Sequence, residues 1–426
     1  MSFKKNLKYL WVFFFNIILI LYLSELLLTI FVQPKIDMYL GMELLRYEKA
    51  KKMGVDFDKR SLYKAFFDEK KTTLNLSPKY RLSKYRLTQE STGGNQIQKL
   101  IKSRLSNNNI LPLRGPINKK TLSCNEDGER KLINNDKNGF KNPNSIYEKK
   151  INIFLIGDSF AEGACLNEKQ GVAGVLRNKF NINAANYGIA GAGPLLSLAA
   201  LKEYATHYKP NLVIYLYYEG NDMIDLGEEK KTFLIKYLNN YKQNLINKNV
   251  EIKKFLSKYE KFVYEIYNKE IKNSKEINNQ DIELRIAENK KNQHLHKIKD
   301  FLELEKVKKL FFKKYFFNSR YSVDKKLFTN VLSKMQSEVN TWNGEFIFIY
   351  LPTWSRYYQS YTPVNIFHKK KVEKIITSLN ISYIDIVKEF NKSVNPINYY
   401  NLGIYGHYNA DGYELVADSI FKNKTN

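Results

Sequence analysis

The 426-residue chain has only two cysteines, Cys124 and Cys165, and neither belongs to a CxxC pair, which argues against a thiolate zinc site. Outside the cytoplasm the two are candidates for one disulfide; the sequence is equally compatible with two free thiols. Glycine (20) and proline (10) are too sparse for a disordered or fibrous chain. Acidic residues are also short, 43 against 69 Lys and Arg, which leaves a formal net charge of +26. Such an excess admits nucleic acid, anionic lipid or glycan as partner. The lysines are scattered, however, and no nucleic-acid-binding motif is present, so no nucleic-acid partner is expected. The charge is read as a Lys-, Asn- and Ile-rich composition. Hydrophobic residues make up 43% of the chain, enough for a folded core.

There is one long hydrophobic run, Tyr9–Val32, broken by Asn16, Ser24, Glu25 and Thr29. Its length matches the ~20 residues that cross a bilayer. A cleaved signal peptide has a shorter apolar core and a small-residue cleavage site, and Gln33, Pro34 and Lys35 offer none. A retained transmembrane anchor is therefore expected over residues 1–32. Lys4, Lys5 and Lys8 crowd the N-terminal flank, whereas beyond the run only Lys35 precedes Arg46. This bias predicts a cytoplasmic N-terminus and a bulk domain on the extracytoplasmic side of the cytoplasmic membrane. Glu25 suits either a position near the outer interface or a helix–helix contact.

Residues 33–145 form a weakly patterned lead-in with a helix expected at Met42–Met53 and a polar region around Thr92, Gly93, Gly94 and Asn95. From 146 onward the pattern alternates. Ile151–Ile156, Asn183–Tyr187 and Leu212–Tyr218 read as strands, interleaved with helices near Lys169–Lys179 and Pro194–His207, the latter with proline in its first turn. Apolar strands alternating with helices imply a parallel sheet covered on both faces, a three-layer α/β/α arrangement. Between about 228 and 342 the alternation gives way to a Lys- and Asn-rich stretch. There Leu234, Leu238, Leu245, Ile252, Leu256, Tyr259, Val263 and Ile266 step at helical spacings, which reads as an amphipathic helical insertion. A cap packed on the sheet is the simpler role for it; a lid or partner-binding arm is the other. Strands at Phe346–Tyr350 and Ser382–Ile386 and helices at Lys369–Leu379 and Ala410–Phe421 complete the pattern.

In open α/β sheets ligands sit beyond the carboxyl ends of the strands. After the first strand comes Gly157-Asp158-Ser159-Phe160, after the second Asn186-Tyr187-Gly188-Ile189-Ala190-Gly191, and after the third Glu219-Gly220-Asn221-Asp222. Gly406-His407-Tyr408-Asn409 precedes the last helix. The glycine loop reads G-x-x-G-x-G, not the dinucleotide order G-x-G-x-x-G. Each piece alone is weak, since a GDS turn can be only a strand-to-helix turn and a lone histidine is more often structural. Four pieces in one order are specific.

Together they resemble the SGNH (GDSL-like) hydrolases, whose four blocks contribute Ser, Gly, Asn and His in that order. The resemblance covers residues 151–222 and 345–421 and implies a flavodoxin-like parallel sheet. It implies Ser159 as nucleophile and His407 as base, with an oxyanion hole formed by the backbone N–H of Ser159 and of Gly191 and by the Asn221 amide. Gly188 is the alternative to Gly191. No cofactor and no metal are implied. Asp158 and Asp222 read as turn or network residues. The family's usual acid three residues before the histidine is replaced by Ile404, which leaves the third member of a triad open between a backbone carbonyl and an acid from elsewhere; Asp411 reads as part of the last helix's start. The expected activity is that of a serine esterase or deacylase on O-acyl groups of an extracytoplasmic glycan or lipid. An O-acyltransferase using the same residues is the alternative, and a non-catalytic glycan-binding module on a degenerate fold is the competing class.

Overall fold

The computed structural model describes residues 2–31, 42–80, 82, 99–104, 107, 109–273, 284, 287–288, 292, 295, 297–308, 324–358 and 363–425. Gln33–Lys35 and the polar region Thr92–Asn95 lie outside the described residues. The chain forms two compact units, Met1–Glu48 with Ile277–Ser322, and Lys49–Glu276 with Val323–Asn426.

In the first unit, Ser2–Phe31 is one helix of 30 residues. Its Lys8–Ile30 portion is long and apolar enough to cross a membrane. Glu25 is buried against the backbone of Lys306 and Val307, so of the two positions the sequence leaves open for it, the contact with another helical segment is the one observed. The stretch 228–342 is shared between the two units, with Ile277–Ser322 in the first and the rest in the second.

The second unit is built on five parallel strands, preceded by a small antiparallel hairpin of β1 (Lys120–Leu122) and β2 (Leu132–Asn134). The main strands are β3 (Ile153–Gly157), β4 (Ala184–Asn186), β5 (Leu212–Tyr218), β6 (Glu345–Leu351) and β7 (Ser382–Asp385), in spatial order β4-β3-β5-β6-β7. Every residue of β3, β4 and β5 is buried, as expected of strands covered on both faces. Val172–Phe180 packs against Ala410–Thr425 on one side of the sheet, and Lys325–Asn340 packs against Pro194–Ala200 and Pro363–Ser378 on the other. Numbered from its first strand, the sheet order is 2-1-3-4-5, the doubly wound arrangement whose ligand crevice opens where the winding reverses, between β3 and β5. Gly157 is level with Leu216 across that pair, so the turns after β3 and β5 emerge at the same edge.

The lead-in is part of this core. Tyr80, Ile110, Leu111, Leu113 and Phe140 share one buried cluster with the sheet residues, as do Ile252, Phe255, Leu256, Tyr259 and Val263 of the Asn249–Asn273 helix. That helix is a cap: its apolar stripe is consumed in packing.

Candidate active site

The β3 turn is built to display a side chain. Gly157 takes φ +145°, and a Cβ there would meet Leu216 O at 2.5 Å, so glycine alone fits. Asp158 Oδ1 accepts from the Phe160 N–H at 2.8 Å and caps the one-turn helix Ser159–Glu162, whose first residue is Ser159. Phe160 stacks on Tyr218, ring centres 3.7 Å apart, and packs against the His407 ring at 4.9 Å. At the other end of that helix, buried Glu162 accepts from the Ala190 N–H (3.0 Å) and from Arg114 (2.8 Å), and it pairs with Lys79, which ties the Ser159 turn to the glycine loop.

Ser159 and His407 are brought together from 248 residues apart: Ser159 Oγ lies 2.8 Å from His407 Nε2. Behind the imidazole stands a residue the sequence gave no signal for. Glu126 Oε2 accepts from the His407 backbone N–H at 2.7 Å and lies 3.1 Å from Nδ1. A carboxylate there requires the proton on Nδ1 and leaves the Nε2 lone pair to accept from Ser159. Glu126 therefore stands where an acid could orient the imidazole, a place that Ile404, an apolar and buried residue, does not fill.

Glu126 sits on the β1–β2 hairpin, in the lead-in. Two residues before it, Cys124 forms a disulfide with Cys165, Cα–Cα 4.8 Å, so of the two options left by the sequence it is the disulfide that forms. Asn125 Nδ2 donates to Asp58 O (2.8 Å), Asn125 Oδ1 accepts from the Gly128 N–H (2.9 Å), and the Asp58 N–H donates to Gly128 O (2.7 Å). The loop is thus held on both sides of Glu126. Glu126, Cys165 and His407 bring ligand-type atoms within 4.8 Å of one another, but the Cys165 sulfur is bonded to Cys124, so the trio has no thiolate to offer a cation.

The remaining expected residues lie at the same sheet edge. Gly188 packs so tightly on the Ser159–Glu162 helix that a Cβ would meet Glu162 N at 2.2 Å, and its N–H already donates to Asn186 Oδ1 at 2.9 Å. Gly191, three residues on, takes φ +79° and is partly exposed. Asn221 follows β5 and precedes the Asp222–Glu229 helix, and its amide lies beside Asp158. Asp222 Oδ2 accepts from Tyr215 OH (2.8 Å) and the Tyr218 N–H (3.2 Å). Asp158 and Asp222 are therefore network residues of the turns. Burial pushes the Asp158 carboxyl up to about 7, against the Phe160 N–H, which favours its ionised form. Burial and the neighbouring Asp158 likewise push Asp222 well above the carboxylate range. Asp411 stays exposed in the first turn of the last helix, which is capped instead by Asn409, accepting from the Gly412 N–H at 3.0 Å.

No family profile matches the chain, and no curated protein sequence matches it. Solved structures similar to it include an acetyl xylan esterase, AlAXEase, which is 10% identical with a TM-score of 0.34 over 64% of this chain and 99% of that one. Another is a member of the lipolytic protein G-D-S-L family from Veillonella parvula, 12% identical with a TM-score of 0.33 over 64% of this chain and 98% of that one. A 2-1-3-4-5 parallel sheet carries a serine turn after its first strand, a glycine loop after its second, an asparagine after its third and a histidine before its last helix, the arrangement that the resemblance to the SGNH (GDSL-like) hydrolases implies.

Proposed function

We propose that the chain is a membrane-anchored serine esterase or deacylase, acting on O-acyl groups of a glycan or lipid on the extracytoplasmic side. The observation that carries the reading is the hydrogen-bonded chain Glu126–His407–Ser159 at the winding reversal of the sheet. A serine hydroxyl is a poor nucleophile until an adjacent base takes its proton. Ser159 Oγ attacks the acyl carbonyl while its proton passes to His407 Nε2, and the Glu126 carboxylate beside Nδ1 stabilises the imidazolium. The carbonyl π electrons move onto oxygen, and the N–H groups of Ser159 and Gly191 and the Asn221 side-chain amide receive the oxyanion. Gly191 is preferred over Gly188 because the Gly188 N–H is already engaged. The tetrahedral adduct expels the alcohol, which takes the proton from Nε2 and leaves an acyl-Ser159. Water repeats the sequence and releases the acid.

Glu126 also weakens the case for a non-catalytic module, which rested on the missing acid at position 404. Labelling of the full chain with a fluorophosphonate tests the reading: wild type should be labelled, and Ser159→Ala should not. No labelling of folded wild type would overturn it. A screen of acylated polysaccharides and short-chain esters, run with and without an acceptor sugar, identifies the acyl donor and separates hydrolysis from transfer. The extracytoplasmic placement rests on Lys4, Lys5 and Lys8 before the apolar helix. A C-terminal reporter active only in the cytoplasm would refute it.

A further inference from the structure

Within the unit formed by Met1–Glu48 and Ile277–Ser322, the apolar N-terminal helix is not bare along its whole length. Glu25, only 1% exposed, turns its two carboxylate oxygens to the backbone N–H groups of Lys306 (3.0 Å) and Val307 (2.7 Å). Lys306 Nζ donates back to Leu28 O at 3.3 Å. One turn earlier Tyr22 OH donates to Leu302 O at 3.0 Å, and its ring packs on Phe301, centres 5.6 Å apart. Residues 301–307 are thereby docked along about 9 Å of the helix between Tyr22 and Leu28. This contact satisfies the one carboxylate in the apolar stretch, whose isolation in hydrocarbon would be costly.

The docked segment carries an apolar face that the described residues leave exposed. Leu295, Ile298 and Leu302, all helical and spaced by three and four, are 64%, 57% and 60% exposed. That spacing puts them on one side of a helix. Lys297 and Lys299 are exposed alongside them, and Lys308 is exposed beyond the turn at Glu303 and Leu304. The surface beside this face is the apolar helix itself, where Leu23, Leu26, Leu27 and Ile30 are also exposed. On the anchor reading, a bilayer covers those residues, and a segment fixed to Tyr22–Leu28 reaches the same bilayer. A helix with leucine and isoleucine on one side and lysines beside them fits the boundary between acyl chains and anionic headgroups.

We infer that Leu295 and residues 297–308 form an interfacial membrane element, with Leu295, Ile298 and Leu302 dipping into the phospholipid bilayer next to the anchor and the lysines at the headgroups. The inference rests on the anchor reading, and one experiment separates the two. The full chain is placed in nanodiscs of phosphatidylcholine and phosphatidylglycerol carrying brominated acyl chains. Leu27→Cys, Ile298→Cys and Lys299→Cys are labelled singly with an environment-sensitive fluorophore; the native cysteines, joined to each other, do not react. Labels at 27 and 298 should each lose at least half their emission to the brominated lipid. The label at 299 should lose less than a fifth and be quenched by aqueous iodide instead. Quenching at 27 without quenching at 298 overturns the inference and leaves the anchor standing. Access of iodide to 298 would then mean a solvated face, and shielding from both quenchers a protein cover. No lipid quenching at 27 overturns both readings.

Discussion

Replacing Glu126 by Gln is the most direct test of the catalytic assignment, because the structure sets both the size and the kind of effect. The substitution keeps an acceptor oxygen for the His407 backbone N–H but removes the charge 3.1 Å from Nδ1. A carboxylate and an imidazolium at that separation attract by about 5 kcal/mol at an effective dielectric of about 20. At about 1.36 kcal/mol per decade this is at most a ~10⁴-fold effect on the chemical step. It matches the size, about 10⁴ in kcat, of an amide-for-carboxylate change at the acid of a Ser-His-acid triad. The His407 side chain is 20% exposed, so water compensates part of the loss and the expected fall in kcat is ~10²–10⁴-fold. KM should change by less than about threefold, because Glu126 acts on a charge that forms only during proton transfer. Glu126→Asp, which draws the carboxylate back by one methylene, should fall between Gln and wild type. Turnover of a short-chain aryl ester, with folding checked by circular dichroism, reads all three variants. If Glu126→Gln turns over within threefold of wild type while Ser159→Ala is dead, the geometry around Nδ1 is incidental and the proposed acid is wrong.

Asn221→Ala should lower kcat by ~100-fold or more and leave KM nearly unchanged, as for loss of one oxyanion donor; an unchanged rate removes Asn221 from the hole. His407→Ala should cost about as much activity as Ser159→Ala, because the pair fails as a unit, whereas Asp411→Ala should stay within a few-fold of wild type. Changing both Cys124 and Cys165 to Ser opens a loop of 41 residues, worth about 4 kcal/mol by loop-closure entropy. A lower thermal midpoint should be accompanied by a lower kcat, since the bridge holds the Glu126 loop; full activity at temperatures where the variant is folded would show that Asn125 and Asp58 hold the loop unaided. The buried Asp158 keeps its proton up to about pH 7, while in the unfolded chain it releases it near 3.8. The unfolded state therefore binds fewer protons between pH 4 and 7, and the native state loses stability as pH rises through that window, by roughly 4 kcal/mol at most. Asp158→Asn removes that penalty, so its thermal midpoint relative to wild type should climb from pH 4 to 7 and then level off; a difference independent of pH refutes the buried neutral acid.

The apolar runs Ile151–Ile156 and Leu212–Tyr218 announce parallel strands locally, because a strand covered on both faces needs nothing but apolar side chains. The observed β3 starts two residues later, at Ile153, and the helix read over Lys169–Lys179 begins as a 3₁₀ turn at Glu168–Gln170 before Val172–Phe180. Such boundaries depend on caps and packing more than on periodicity. Ser159, Gly191, Asn221 and His407 could be proposed from the sequence for a related reason: each sits near where a strand ends or a helix begins, and those points are written in local sequence. Glu126 could not, since its role depends on one oxygen meeting one nitrogen from 281 residues away, and an ordinary acidic residue in a short hairpin carries no periodic mark of that meeting. The same holds for the Cys124–Cys165 pairing and for Glu25. The sequence by itself determined the alternation, the strand-end residues and the apolar helix, because short-range patterns encode burial. Only the tertiary structure decided which distant side chains complete the site, because those contacts are made by chain closure over long loops.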